Sequence, residues 1–136
     1  MIIADNSVLV AYTKPNDIFH EAATAVIRKN FGKLFAHADT VAEYLVYPAL
    51  NGLVEFHYKW LTGKAEDGNL GLRIVTAPTP PSGEPWPIHL ARVRAETKLK
   101  MPDAVVLATA LALGGQVATF DDGLAASCKK YGVLLN

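Results

Sequence analysis

Residues 99–121 read LKMPDAVVLATALALGGQVATFD. Pro102 breaks what precedes it and restarts a helix at Asp103, an Ala/Leu/Val-rich segment running to Leu113 and closed by Gly114 and Gly115. Gln116 to Phe120 follows as a short strand, and Asp121 and Asp122 end it. One helix thus leads through two glycines into one strand, with an acid at each start. If that unit repeats along the chain, the fold is α/β.

Working outward, it does. Ile2 to Asp5 is a short buried-strand candidate. Asp17 to Phe31 spaces Ile18, Phe19, Ala22, Ala23, Val26, Ile27 and Phe31 as a helix does, and Gly32 ends it. Leu34 to Ala38 reads as a second strand. Thr40 to Leu61 is apolar almost all round, and Pro48 is expected to split or kink it. Leu72 to Thr76 is a third strand, Ile88 to Lys100 a basic-leaning helix, Asp122 to Tyr131 a short helix and Val133 to Leu135 a last edge strand. Ala77 to Pro87 carries five of the eight prolines; neither flank could bury a core alone, so it reads as a stiff connection within one domain. Strands separated by helices predict a central, mostly parallel sheet covered on both faces, in a single domain over 1–136. The chemistry of such a fold belongs at the carboxyl ends of the strands.

The totals narrow the function classes. The chain has 136 residues, is 51% hydrophobic and 19% charged, which is enough apolar content for a core and far from disorder. Thirteen Lys+Arg balance thirteen Asp+Glu, so a uniformly basic nucleic-acid binder is excluded. A lone Cys128 excludes a disulfide-stapled fold. Met1 to Val10 lacks a basic n-region and a small-residue cleavage site, and Ala104 to Phe120, the longest charge-free stretch, falls short of a membrane span. The expected setting is cytoplasmic, with no membrane partner.

Several α/β chemistries have no motif here. No strand is followed by G-x-G-x-x-G or G-x-x-x-x-G-K-[ST], and the Gly114-Gly115 pair precedes its strand. There is no G-x-S-x-G, and His20, His37, His57 and His89 form no H-E-x-x-H pair. A receiver domain would want paired acids at the first strand end, where this chain has Asp5-Asn6-Ser7.

What remains is carboxylates at strand ends and helix starts. Asp5 ends the first strand, Glu43 lies just after the second, Asp103 opens a helix and Asp121 ends the Gln116–Phe120 strand. Right-handed crossovers bring such ends to one edge of the sheet, so at least Asp5, Glu43 and Asp121 should converge. Carboxylates crowded in one concavity repel, and a bound divalent cation is the usual relief. Oxygen-only ligation suits Mg²⁺ or Mn²⁺. Each acid also has an ordinary structural reading. Asp5 could cap a helix, Thr40-Val41-Ala42-Glu43 spells a capping box, Pro102-Asp103 is a common helix start, and Asp121-Asp122-Gly123 could be only a turn.

The succession Ile3-Ala4-Asp5-Asn6-Ser7-Val8-Leu9, Thr40-Val41-Ala42-Glu43-Tyr44, Leu99 to Ala110 with its Pro102-Asp103-Ala104, and Val117-Ala118-Thr119-Phe120-Asp121 resembles the PIN-domain family. Within that family it looks most like the VapC-type toxins of prokaryotic toxin–antitoxin pairs. The resemblance covers nearly the whole chain except Tyr47 to Pro87, and Asn6 stands where the family usually has Thr. It implies a metal-dependent, single-strand endoribonuclease that cleaves tRNA or ribosomal RNA. Asp5, Glu43, Asp103 and Asp121 would be its acids, with Asp5, Asp103 and Asp121 on the metal. Asp122 would be a helper or a turn residue. Asn6 and Ser7 would lie against the substrate. The resemblance further implies a homodimer held inactive by an antitoxin.

Substrate grip needs cations. Arg94 and Lys98, four apart on the basic helix just upstream of Met101-Pro102-Asp103, are the first candidates for phosphate contacts, and Lys14 a weaker one. They could equally be a solvated face, with Arg92 and Lys100 paired to Glu96. Within Thr40 to Leu61 a small domain can bury only part of an all-round apolar surface, so Tyr44, Tyr47, Leu50, Val54, Tyr58 and Trp60 are candidates for a partner interface, or else core. Two other readings fit the same motifs: a PIN-like RNA- or protein-binding module without activity, and a PIN nuclease of RNA processing that has no antitoxin.

Overall fold

The computed structural model describes residues 1–135. Its strands are as short as the apolar runs that form them: β1 (Ile2–Ala4), β2 (Leu34–His37), β3 (Arg73–Val75) and β4 (Gln116–Ala118). They pair in the order β3-β2-β1-β4, and every pair is parallel. Past β4, Val133 to Leu135 adds one parallel bridge, Val117 to Leu134, where an edge strand was expected.

Parallel neighbours need long crossovers, and helices supply them. α1 (Asn6–Thr13) and α2 (His20–Lys29) join β1 to β2. α3 (Ala38–Leu50) and α4 (Val54–Thr62) lead towards β3. α5 (Trp86–Thr97) and α6 (Met101–Leu113) return to β4, and α7 (Asp122–Lys130) follows it. Strand side chains alternate between two cores. Ile2, Ala4, Leu34 and Ala36 pack with Val8, Leu9, Ile27, Val41 and Leu61 on one face. Ile3 and Val117 pack with Val93, Val106, Leu107, Leu124 and Cys128 on the other. Helix α6 is buried along Ala104–Ala110, which is why its composition shows no polar face. Among the described residues no helix is long and apolar enough to cross a membrane.

Thr40–Leu61 divides into two helices, as expected, with Pro48 in the last turn of α3 and the break at Gly52, whose φ of 71° is left-handed. Two local expectations change. The Thr40–Glu43 capping box does not form. α3 starts earlier, at Ala38, because the His37 ring accepts the Asp39 N–H at 3.0 Å and serves as N-cap. Lys98 is not on the α5 helix face with Arg94; it is the C-cap, with a left-handed φ of 60°.

The proline-rich segment is packed connection, with Pro78 and Pro80 buried. It ends by placing Trp86 against His37, rings 5.1 Å apart and nearly parallel.

Candidate active site

The site is built where β1 and β4 end side by side. The Asp5 N–H donates to the Ala118 carbonyl at 3.0 Å, which ties the two strand ends together. Asp5 occupies the N-cap position of α1 but makes no capping bond there. Its Oδ2 instead accepts the Ser7 hydroxyl at 2.8 Å and the Thr119 hydroxyl at 2.8 Å. Ser7 Oγ in turn accepts the Phe120 N–H, and Thr119 Oγ1 accepts the Asp121 N–H, each at 3.0 Å. The carboxylate is 7% exposed, so those two charge-assisted bonds offset part of its desolvation and lock its orientation.

The other three acids arrive on helix starts. Glu43 is in the second turn of α3, Asp103 in the first turn of α6, and Asp121 at the N-cap of α7, where Oδ1 accepts the Leu124 N–H at 2.8 Å. All four carboxylates line one open cleft of about 400 Å³ together with Asn6, Ser7, Asp17, Phe19 and Phe120. Asp122 faces elsewhere and is not in its lining.

Crowding shows in the electrostatics. Burial, then the negative charges of Asp121, Asp5 and Glu43, push the Asp103 carboxyl up to about 6, against a smaller pull from Lys100. The same field reaches Cys128, whose thiol burial lifts to about 12 with help from Asp5 and Asp103. Cys128 is therefore a buried, unreactive thiol.

The donor set is oxygen only. Among the described residues no three His, Cys, Asp or Glu side chains close on a common point. Mg²⁺ takes only one or two carboxylates directly and keeps several waters. Asn6 Oδ1, buried and without a hydrogen-bond partner among the described residues, is one more oxygen beside the acids. These residues fit a hard divalent cation, with Asp5, Asp103 and Asp121 as the acids that could hold it.

Thr119, which orients Asp5, is a residue that sequence reasoning missed. So are Asp17 and Phe19 in the cleft wall. Nothing local marks Thr119: its partner is 114 residues away.

The basic candidates fall outside this cleft. Arg94 and Lys98 line a neighbouring groove with Ala91, Ala95 and Met101, and Arg92 pairs with Glu84 rather than Glu96. Met101 also borders a small hollow whose lining includes Asp5 and Glu43, so this hollow shares lining residues with both groove and cleft. Lys14 lies apart, its ammonium 5.5 Å from the Tyr47 ring.

Of the proposed interface residues, Tyr44 is core. It is 5% exposed, its hydroxyl bonds the His57 ring at 2.9 Å, and burial raises its pKa. Trp60 is half-buried against the same core. Tyr47, Leu50 and Val54 are exposed, with Val46, Leu53, Phe56 and Tyr58 beside them.

A parallel α/β domain that gathers an all-oxygen acidic cleft at its strand ends defines a small class of proteins. Residues 2–130 match the family model of the PIN domain, and the chain belongs to that family. No curated protein sequence matches it significantly. The fold is similar to FitAcB from Neisseria gonorrhoeae, with a TM-score of 0.68 at 22% identity over 95% of this chain and 94% of that one. It is also similar to VapC20 of Mycobacterium tuberculosis, a sarcin–ricin loop cleaving toxin (TM-score 0.65, 12% identity, 93% and 95% of the two chains). PAE2754 from Pyrobaculum aerophilum gives a TM-score of 0.56 at 21% identity over 93% of this chain and 78% of that one.

Proposed function

We propose that this protein is a Mg²⁺-dependent single-strand endoribonuclease, the toxin of a VapBC-type pair, cleaving tRNA or ribosomal RNA in the cytoplasm. One observation carries the reading: four carboxylates from four separate elements line one open cleft, where burial and then the charges of its neighbours hold Asp103 near 6. A purely structural site does not accumulate that repulsion on a cleft wall without using it. The similarity in fold to VapC20, which cleaves a ribosomal RNA loop, supports the substrate class.

When bound here, Mg²⁺ or Mn²⁺ supplies positive charge for the scissile phosphate, a water of lowered pKa and stabilisation of the attacking and leaving oxygens. The chain's residues do the rest. Ser7 and Thr119 hold Asp5 in one rotamer, so its free oxygen faces the cleft. Asp103 and Asp121 complete the ligand set on the facing helix starts. Glu43 orients the attacking water and takes its proton, and cleavage leaves a 5′-phosphate and a 3′-hydroxyl. Arg94 and Lys98 hold backbone phosphates along the groove that Met101 borders.

Two expected outcomes follow from those placements. Thr119→Val removes the hydroxyl that bonds both Asp5 and the Asp121 N–H; cleavage should fall about 10- to 100-fold, the usual scale for losing a partner that orients a metal ligand. Thr119→Ser should restore it, and an inactive Ser variant would refute the positioning role. Arg94→Ala should weaken RNA binding evenly across sequences and reduce the slope of log affinity against log salt by about 1, measured by fluorescence anisotropy at several salt concentrations. An unchanged slope would exclude Arg94 from phosphate contact.

For the antitoxin, the observation is the unpartnered apolar face of α3 and α4. Tyr47 and Leu50 are 67% and 79% exposed, and Tyr47 also borders a groove of about 330 Å³ with Val10, Pro48 and Leu53. An apolar patch this continuous marks an interaction site, suited to an amphipathic antitoxin helix in the groove and a second copy of the toxin on Phe56 and Tyr58. The deciding experiment is to map new RNA 5′ ends after inducing wild type and Asp5→Asn in parallel. New ends with wild type only support a nuclease; none with either leaves a binding module.

A further inference from the structure

We propose that Phe19, backed by Phe120, is a stacking platform for an RNA base at the mouth of the acidic cleft. This rests on the nuclease reading for its ligand. The two rings lie 4.7 Å apart with 5° between their planes, and both line the same cleft as the four acids. Phe120 is half-buried against the core, while Phe19 remains 41% exposed. One face of Phe19 is thus occupied by Phe120 and the other side of the residue meets solvent.

The backbone that carries the ring is also fixed in place. The Asp17 carboxylate accepts the Phe19 N–H at 2.8 Å, and the Phe19 carbonyl accepts the Ala23 N–H at 2.8 Å. The following residue, His20, bonds through its ring to the Ala11 carbonyl at 2.8 Å, which pins this corner to α1. An exposed aromatic ring on a fixed backbone, stacked on Phe120 at the edge of a polar cleft, is a partly pre-organised contact surface.

The chemistry of the cleft favours a base as the occupant. Five carboxylates line the cleft, Asp17 beside Phe19 among them, so phosphates gain little attraction there until a cation is bound; Arg94 and Lys98 lie in a separate groove, and Lys100 exerts only a small pull on Asp103. Binding energy close to the scissile bond must then come from uncharged parts of the nucleotide. Base–aromatic stacking supplies it and tolerates any sequence, because every base has a π-face. Single-stranded RNA would therefore run from the basic groove past Met101, over the acids, to the stacked pair. An apolar side chain of a protein partner is the competing occupant.

The test uses the full chain and a ten-nucleotide single-stranded RNA carrying 2-aminopurine at successive positions, with Ca²⁺ for binding and Mg²⁺ for cleavage. Phe19→Ala should weaken RNA binding about tenfold, within a range of roughly 5- to 150-fold. It should also abolish the fluorescence quenching at one position. Phe19→Trp should retain both, and Phe19→Leu, which keeps apolar volume without a π-face, should behave as Ala does. An abasic nucleotide at the quenched position should erase the difference between wild type and Phe19→Ala, an outcome that a merely structural role cannot produce. Wild-type binding and cleavage by Phe19→Ala would overturn the platform and leave the nuclease standing. Intact RNA binding by Phe19→Ala with weakened binding of the co-expressed antitoxin would overturn it in favour of a protein contact. Quenching by a wild type that cleaves nothing would support the platform and remove the nuclease.

Discussion

Asp5→Asn is expected to lower Mg²⁺-dependent cleavage of single-stranded RNA by more than about a hundredfold while leaving the protein folded. Losing even a residue that only orients a metal ligand costs 10- to 100-fold, so losing the ligand's own charge should cost more. The fold should survive because the side chain's partners are rotatable hydroxyls. Ser7 and Thr119 can donate to an amide oxygen as they do to Oδ2, and the Asp5 backbone bond to Ala118 is untouched. The measurements are initial cleavage rates on a labelled RNA and a thermal melt of the same preparation. Wild-type cleavage by the folded variant would remove Asp5 from the chemistry, and with it the assignment of cleavage to this cleft.

The second large effect runs against intuition: Asp103→Asn, also expected to abolish cleavage, should make the protein more stable. The Asp103 carboxyl sits at about 6 in the folded chain against 3.8 unperturbed. Between those values the native state binds more protons than the unfolded state, so stability falls as pH rises through that window, and the whole cost is present above about 6. Asp103 is half-buried, so solvent screening reduces the effect to about 1 kcal/mol at pH 7.5. Chelator-treated wild type and variant should therefore converge below about pH 4 and separate above 6, the variant melting higher. Millimolar Mg²⁺ should raise the wild-type melting temperature and raise that of the variant less, because a ligand that binds only the native state stabilises it in proportion to affinity. If wild type melts higher than the variant at pH 7.5 in chelator, burial and the neighbouring acids do not penalise the charged form of Asp103.

Together the two variants separate roles that one activity assay would merge. Asp5 is satisfied by hydroxyls and waits for substrate in one orientation, whereas Asp103 is frustrated by its neighbours. Strain of this kind is tolerated only where the surrounding packing holds it, here the buried Ala104–Ala110 stretch of α6 behind Asp103.

Much of the fold was legible in residues 99–121 and their echoes along the chain. Hydrophobic period, the Pro102 helix start and the Gly114 stop are local properties, and the elements they predict exist except the Val133–Leu135 strand, which is reduced to a single bridge. The misreadings were local as well. The Thr40–Glu43 capping box does not form because the His37 ring caps α3 ahead of Thr40 and the helix already starts at Ala38.

For the site, strand order and crossover handedness were enough to predict that Asp5, Glu43 and Asp121 share an edge, and Asp103 joins them. The amino-acid sequence by itself thus determined the class of fold and the acids on its rim, because periodicity and motif spacing are carried by neighbours in the chain. Only the tertiary structure decided that Thr119 grips Asp5 across 114 residues, that Phe120 backs Phe19, and that Tyr44 turns inward while Tyr47 turns out. Those outcomes depend on where strand ends and helix faces meet in space, and no local pattern encodes that distance.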